Sequence, residues 1–286
     1  MPLLMDLAPN REMLLQIAQR LPASPQILQQ LNELLTDVNS GLEDIAQLLR
    51  RDTGLASRII RISNSAAFGT GGKVGSIEEA VTRVGYSEIY RLTGLASAAH
   101  LAEQNLSYYG ITGPQLRDNS LFTAFCAEAL ATRAGSEPRV AYTTGLLRST
   151  GKIVLNRLST TGTTPFVQAG CGNLLAWEQA TFGCGNAEVA EMVLLAWRFP
   201  ATIIQPILHQ FDTTLQKGAH ALNATLLHLA GGLAHRAGYG LVGEHECWAL
   251  PAGALQLVNL NPSLVTEATE DAKNAFEAIK SFFDAP

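Results

Sequence analysis

Apolar residues recur along nearly the whole chain with the 3.6-residue spacing of a helix, and that spacing leaves little room for any fold but an all-α one. Ile27, Leu28, Leu31, Leu34 and Leu35 fall on one stripe. Ile45, Leu48 and Leu49 repeat the pattern, and Leu55, Ile59, Ile60 and Ile62 continue it. Ser76-Ile-Glu-Glu79 reads as a capping box that opens a helix to about Val84, which Gly85 ends. Alternating β-branched runs bounded by turns are nearly absent. The expected fold class is all-α: an irregular multi-helix globule of short helices and short loops, with no internal repeat of the kind a solenoid requires.

Two loops punctuate the pattern, Gly69-Thr-Gly-Gly72 and Tyr109-Gly-Ile-Thr-Gly-Pro114. Beyond the second, helices are expected over about 115–135, 137–158, 174–182, 187–198, 201–211 and 217–237, with a last amphipathic helix over about 262–283. The chain therefore divides into an N-terminal helical part (1–110), a second helical part (111–240) and a C-terminal extension ending in a helix (241–286).

Composition narrows the function classes. With 47% hydrophobic and 16% charged residues in 286, the chain suits a packed globule. A formal net charge of −5 gives no bulk attraction to nucleic acid or to an anionic membrane, so neither is expected as a partner. Cys126, Cys171, Cys184 and Cys247 form no CxxC pair, which points to reduced, buried thiols and a cytoplasmic setting. The acidic Asp6 and Glu12 near the start do not suit a secretory leader. The stretch 218–235 lacks acidic and basic residues but carries His220, His228 and His235, and reads as a buried helix.

The most distinctive stretch is Arg51-Asp-Thr-Gly-Leu55 followed by Arg58-Ile-Ile-Arg-Ile-Ser-Asn-Ser-Ala-Ala-Phe-Gly69. Physically it is a helix with Arg58 and Arg61 on its polar side. Asn64 and Ser65 are placed to bond backbone groups at its end. With Arg50 nearby, these arginines form a local basic cluster, read as a solvated, salt-bridged surface or, alternatively, as a phosphate- or partner-binding patch.

This stretch resembles the signature of the HDOD family, in which an Arg-Asp dipeptide precedes a helix ending in Arg-Leu-x-Asn-Ser-Ala-x-Phe/Tyr-Gly. Leu21-Pro22 and the run from Val74 through Ala80 to Gly85 fit as well. Thr53 stands where the family usually has proline. The resemblance implies an HD-like helical core, related to metal-dependent phosphohydrolases in which histidines and aspartates hold one or two metal ions that activate water. Arg51, Asp52, Leu55, Arg58, Arg61, Asn64, Ser65 and Gly69 are then signature residues with structural roles.

The ligand set that the resemblance leads one to look for is missing. The Leu-Leu-His-Asp-x-Gly-Lys run of the enzymes reads Leu146-Leu-Arg-Ser-Thr-Gly-Lys152. Phe122-Thr-Ala-Phe125 brings no histidine, and Asn186 stands in the Gly-x-x-His-x-Glu-Val run. The His-His pair is His209-Gln210, and the late Leu-Ala-Asp is Leu229-Ala-Gly231. A permanent guanidinium at Arg148 would repel a cation. The resemblance thus implies no catalytic residue, no metal and no cofactor. It implies a non-catalytic regulatory module acting through a protein partner in a signalling pathway. Two alternatives stand beside it: a sensor of a nucleotide or phosphate ligand that contacts Arg148, Lys152, Asn186 and His209 in the vestigial pocket, and a residual metal-dependent phosphohydrolase.

Overall fold

In the computed structural model, which describes residues 11–21, 24–65, 72–159, 163–170, 172–212 and 220–284, every regular element of the described residues is a helix. A single isolated antiparallel bridge joins Leu106 to Ile111. Backbone packing divides the chain into two compact units, one of residues 1–21 and 102–274 and one of residues 22–101 and 275–286. This differs from the three-part division expected from sequence. Helix α1 (Arg11–Gln19) packs with α9 (Thr150–Leu158) and α11 (Asn186–Ala196) of the larger unit. The C-terminal extension is not a separate part, because it buries Leu241, Trp248, Ala254, Val258 and Leu260.

The smaller unit is built from α2 (Ser24–Thr36), α3 (Leu42–Arg50), α4 (Thr53–Ser63), α5 (Ile77–Val84) and α6 (Tyr86–Ala99). Local side chains set the helix ends. The Asp44 carboxylate accepts from the Gly41 N–H at 2.8 Å, and the Asp52 carboxylate accepts from the Leu55 N–H at 2.9 Å. Ser76 caps α5 by accepting from the Glu79 N–H at 3.2 Å, while the Glu79 carboxylate reaches one residue further back than a capping box requires, to the Gly75 N–H at 2.7 Å. Gly85 joins α5 to α6 at φ 84°, a left-handed conformation that favours glycine. Leu28, Leu31, Ile45, Leu49, Leu55 and Ile59 fill the core on the stripes read from sequence, joined by Ile89 and Leu92 of α6.

The larger unit is organised around α7 (Gly113–Ala134), whose Leu116, Phe122, Phe125, Ala127 and Leu130 are all buried. Thr112 and Gln115 cap its start, and Gly135, at φ 69°, ends it. Against it pack α8 (Pro138–Leu147) and α13 (Ala221–Ala234). Next to these lie α9 (Thr150–Leu158), α11 (Asn186–Ala196) and α12 (Ala201–Leu208), with α10 (Leu174–Phe182) and α14 (Ala254–Leu257) completing the set. The last helix, α15, runs Pro262–Asp284.

The single helix expected over 137–158 is two helices, α8 and α9, broken at Arg148–Ser149. The Thr150 hydroxyl donates to the Leu147 carbonyl at 2.7 Å, in competition with the helical ladder, and Ser149 sits at φ −96°, ψ 8°. Glycines hold both arms of this corner. A Cβ on Gly145 would lie 2.6 Å from the Ala124 Cα of α7, and one on Gly151 would lie 1.8 Å from the Asn186 carbonyl oxygen at the start of α11. Only glycine permits either approach.

Candidate functional site

The corner between α8 and α9 directs a cation inward. Arg148 and Lys152 are both fully buried, with 0% of either side chain exposed. Their counter-ion is Glu244, also fully buried. Arg148 Nη2 donates to Glu244 Oε2 at 2.5 Å and Nη1 donates to Oε1 at 3.1 Å, a bidentate pair. Lys152 Nζ lies 2.8 Å from Glu244 Oε1. Gln210, at the end of α12, accepts from Arg148 Nη1 at 3.1 Å and donates through Nε2 to the Arg148 carbonyl at 3.1 Å. Burial works against ionisation of Glu244, but Arg148 first and Lys152 second outweigh it and hold its carboxyl at about 2.

Aromatic rings line this ionic group. The Arg148 guanidinium lies 5.1 Å from the Trp248 ring centroid, and Lys152 Nζ lies 5.1 Å from that of Phe211. Trp248 also approaches α13 so closely that a Cβ on Gly231 would meet its ring at 2.5 Å. His228 sits in the same wall, with Nδ1 3.0 Å from the Gln210 carbonyl oxygen and Nε2 3.0 Å from that of Ala249. Glu244 and Trp248 both come from the segment after α13, which Gly238 (φ 89°), Gly243 (φ 82°) and Gly253 (φ 84°) articulate.

A second buried carboxylate lies one helix away. Glu178 of α10, fully buried, accepts from the Asn186 N–H at 2.8 Å, from Asn186 Nδ2 at 2.9 and 2.8 Å, and from the Tyr109 hydroxyl at 2.8 Å. Burial, and next the charge of Glu178, raise the Tyr109 phenol well above its ordinary range, so Tyr109 remains a hydrogen-bond donor.

The four residues expected to contact a ligand therefore separate. Arg148 and Lys152 share one cluster, Asn186 belongs to the Glu178 network, and half-exposed His209 closes the end of α12 through its backbone. The neighbouring Gln210 is the residue that reaches Arg148, because a shift of one position at a helix end turns the side chain by about 100°. Gln210, Glu178, Glu244 and Trp248 were not singled out in the sequence. Gln210 and Glu244 meet Arg148 across 62 and 96 residues, and Glu178 meets Tyr109 across 69, although its bonds to Asn186 span only eight.

In the smaller unit the signature residues serve the backbone. Asn64 clamps the incoming chain: its Oδ1 accepts from the Val74 N–H at 2.7 Å, and its Nδ2 donates to the Val74 carbonyl at 2.9 Å. Ser65 differs from expectation: its hydroxyl is buried without a hydrogen-bond partner among the described residues, although its N–H donates to Ile62. Leu55 is core, Arg58 contacts His100, and Arg61 is exposed. Arg51 reaches Gln30 at 3.4 Å in a groove that also holds Glu33, Asp37 and Asp44, and Arg50 pairs with Glu43 and Glu78. Arg50 and Arg51 thus lie among acids. Gly69 and the Gly69–Gly72 loop up to residue 71 lie outside the described residues, as do Cys171 and the 213–219 stretch.

Of the other thiols, Cys126 is buried, while Cys184 and Cys247 are half-exposed, not buried as expected. Burial pushes both half-exposed thiols up to about 11, leaving them protonated at neutral pH. Among the described residues, no helix is long and apolar enough to cross a membrane.

The donor set does not fit a metal centre. Where the enzymatic pattern places imidazole and carboxylate, the chain presents a guanidinium, the Ser149 hydroxyl, the Asn186 amide and a glycine whose side-chain space Trp248 fills. Among the described residues, no group of three or more His, Cys, Asp and Glu is placed to hold a cation.

The HDOD domain family model matches residues 21–213. Three solved structures share the fold. A candidate signal transduction protein from Marinobacter aquaeolei VT8 superposes with a TM-score of 0.71 at 20% identity, covering 96% of this chain and 65% of that one. An HDOD domain protein of unknown function from Geobacter sulfurreducens gives 0.66 at 20% identity, covering 95% of each chain. A candidate phosphohydrolase from Shewanella amazonensis SB2B gives 0.63 at 23% identity, covering 93% and 96%. An uncharacterized protein of Treponema pallidum (strain Nichols) is 29% identical over 143 residues, 48% of this chain. The chain spans just 27% of that relative's length.

Proposed function

This chain belongs to the HDOD family, and from that premise we propose that it is a non-catalytic regulatory module that acts in signalling by engaging a protein partner. The observation that carries the reading is the fully buried Arg148, paired with Glu244, at the histidine position of the enzymatic run. A hydrolytic centre needs a cation that brings the pKa of water from about 15.7 towards about 7. Here the Arg148 guanidinium occupies the histidine position, and at about 4 Å and an effective dielectric of about 20 it would repel each unit of metal charge by roughly 4 kcal/mol. The description of the Marinobacter relative as a candidate signal transduction protein agrees with this role. A cytoplasmic location fits the thiols.

Elemental analysis of purified protein is expected to find no stoichiometric manganese, iron or zinc, and assays with phosphoesters, cyclic dinucleotides included, to show no turnover. Near one metal per chain, with activity that chelation abolishes and metal restores, would sink the reading.

A further inference from the structure

Arg148 and Lys152 bring two positive charges to a place where one carboxylate answers both. The nearest other buried acid, Glu178, is committed to Asn186 and Tyr109. Hydrogen-bond supply is also uneven. Among the described residues, Arg148 Nε and the Ser149 hydroxyl are buried donors without an acceptor, and Lys152 Nζ faces Glu244 as an ion pair without a well-directed hydrogen bond. Ser149 and Lys152 also flank the first turn of the nine-residue helix α9, where free N–H groups and the helix dipole favour an anion. A carboxylate supplies two oxygens and one charge. A phosphoryl group supplies three oxygens and close to two charges, which matches both surpluses.

We propose that Arg148, Lys152 and Gln210 form a phosphoryl-binding cradle whose resting occupant is the tethered carboxylate of Glu244, and that a phosphate-bearing small molecule binds by displacing Glu244. The construction of the segment fits such an exchange. Glu244 and Trp248 lie between Gly238 and Gly253, both at positive φ, so the intervening chain can swing on two pivots while α13 and α15 keep their packing. The segment lies beyond the 21–213 match to the family model. The proposal stands apart from the regulatory reading: failure to bind leaves that reading intact, and metal-dependent turnover leaves this one intact.

The test titrates inorganic pyrophosphate and, separately, AMP into wild type, Glu244→Ala and Arg148→Met/Glu244→Ala, with chloride at matched ionic strength as control. A closed site lowers apparent affinity by the fraction of open molecules, so Glu244→Ala is expected to bind about tenfold or more tighter than wild type. The double variant is expected to lose that binding. Wild type at saturating ligand is expected to change its tryptophan emission as Trp248 leaves Arg148, and Trp248→Phe to abolish the change. Tighter pyrophosphate binding would identify a free phosphate as the ligand, and tighter AMP binding a nucleotide; either supports the proposal. If Glu244→Ala is too unstable for calorimetry, its melting temperature is expected to rise saturably with pyrophosphate or AMP but not with chloride. No gain in either binding or melting temperature over chloride would overturn the cradle. A wild-type protein whose Trp248 emission stays fixed would overturn the displacement.

Discussion

Asp52 and Asn64 in the smaller unit and Arg148 and Glu244 in the larger one are all polar groups that hold helices in place, yet they do so under opposite conditions. Asp52 and Asn64 bond backbone groups three and ten residues away, at or near the solvent. Water can replace either bond if it is lost, so each contributes modestly. Arg148 and Glu244 meet across 96 residues with no exposure at all. Removing Glu244 strands two cations in a low-dielectric interior, and removing Arg148 deprives Glu244 of its bidentate partner and leaves it to Lys152. The energetic weight of a polar residue here follows from where its partner's charge would go, more than from the number of bonds it makes.

The comparison breaks most directly at Arg148. Arg148→Met is expected to cost about 3–5 kcal/mol, because it leaves the Glu244 carboxylate buried with Lys152 alone. Urea denaturation followed by circular dichroism would measure this, and a cost near that of an exposed cap would erase the distinction.

Acid titration probes the same group from the other side. The folded-state pKa of Glu244, about 2, lies below its unfolded value of 4.5, so its contribution is complete above about pH 4.5 and disappears as pH falls through about 2. The loss amounts to roughly 3 kcal/mol over that window. Stability curves of wild type and Glu244→Gln should converge there. Parallel curves would remove the ion pair from the account.

Gly151→Ala sets a steric cost beside the electrostatic one. A Cβ 1.8 Å from the Asn186 carbonyl oxygen forces α9 away from α11, at an expected cost of about 1–3 kcal/mol. A melting temperature equal to wild type would mean that the two helices part freely. At the small end, Asp52→Ala and Asn64→Ala are each expected to cost about 1 kcal/mol. A loss as large as that of Arg148→Met would show the smaller unit to be as tightly coupled as the larger.

What sequence alone disclosed follows the same divide. The helical stripes, the Ser76 cap and the role of Asn64 at a helix end are local patterns, and short stretches of chain carry them. The break between α8 and α9 was hidden, because apolar periodicity runs on through Arg148. The absence of enzymatic ligands was plain from residue identity. What replaced them was not, since Glu244 and Trp248 lie far along the chain and look like ordinary surface and core residues. Gln210 and not His209 reaches Arg148, because one position at a helix end turns the side chain by about 100°.

The run Leu146-Leu-Arg-Ser-Thr-Gly-Lys152 has one further consequence. It departs from the enzymatic pattern only at the two residues whose side chains would grip a metal, and it keeps the Gly-Lys that ends it. Gly151 admits the α11 backbone, and Lys152 shares the Glu244 carboxylate. The motif is therefore two inscriptions written over one another, one for architecture and one for chemistry, and they can be erased separately. A chain whose chemical inscription reads differently remains recognisable by the architectural one, here with Glu244, an acid from far along the chain, answering Arg148 and Lys152.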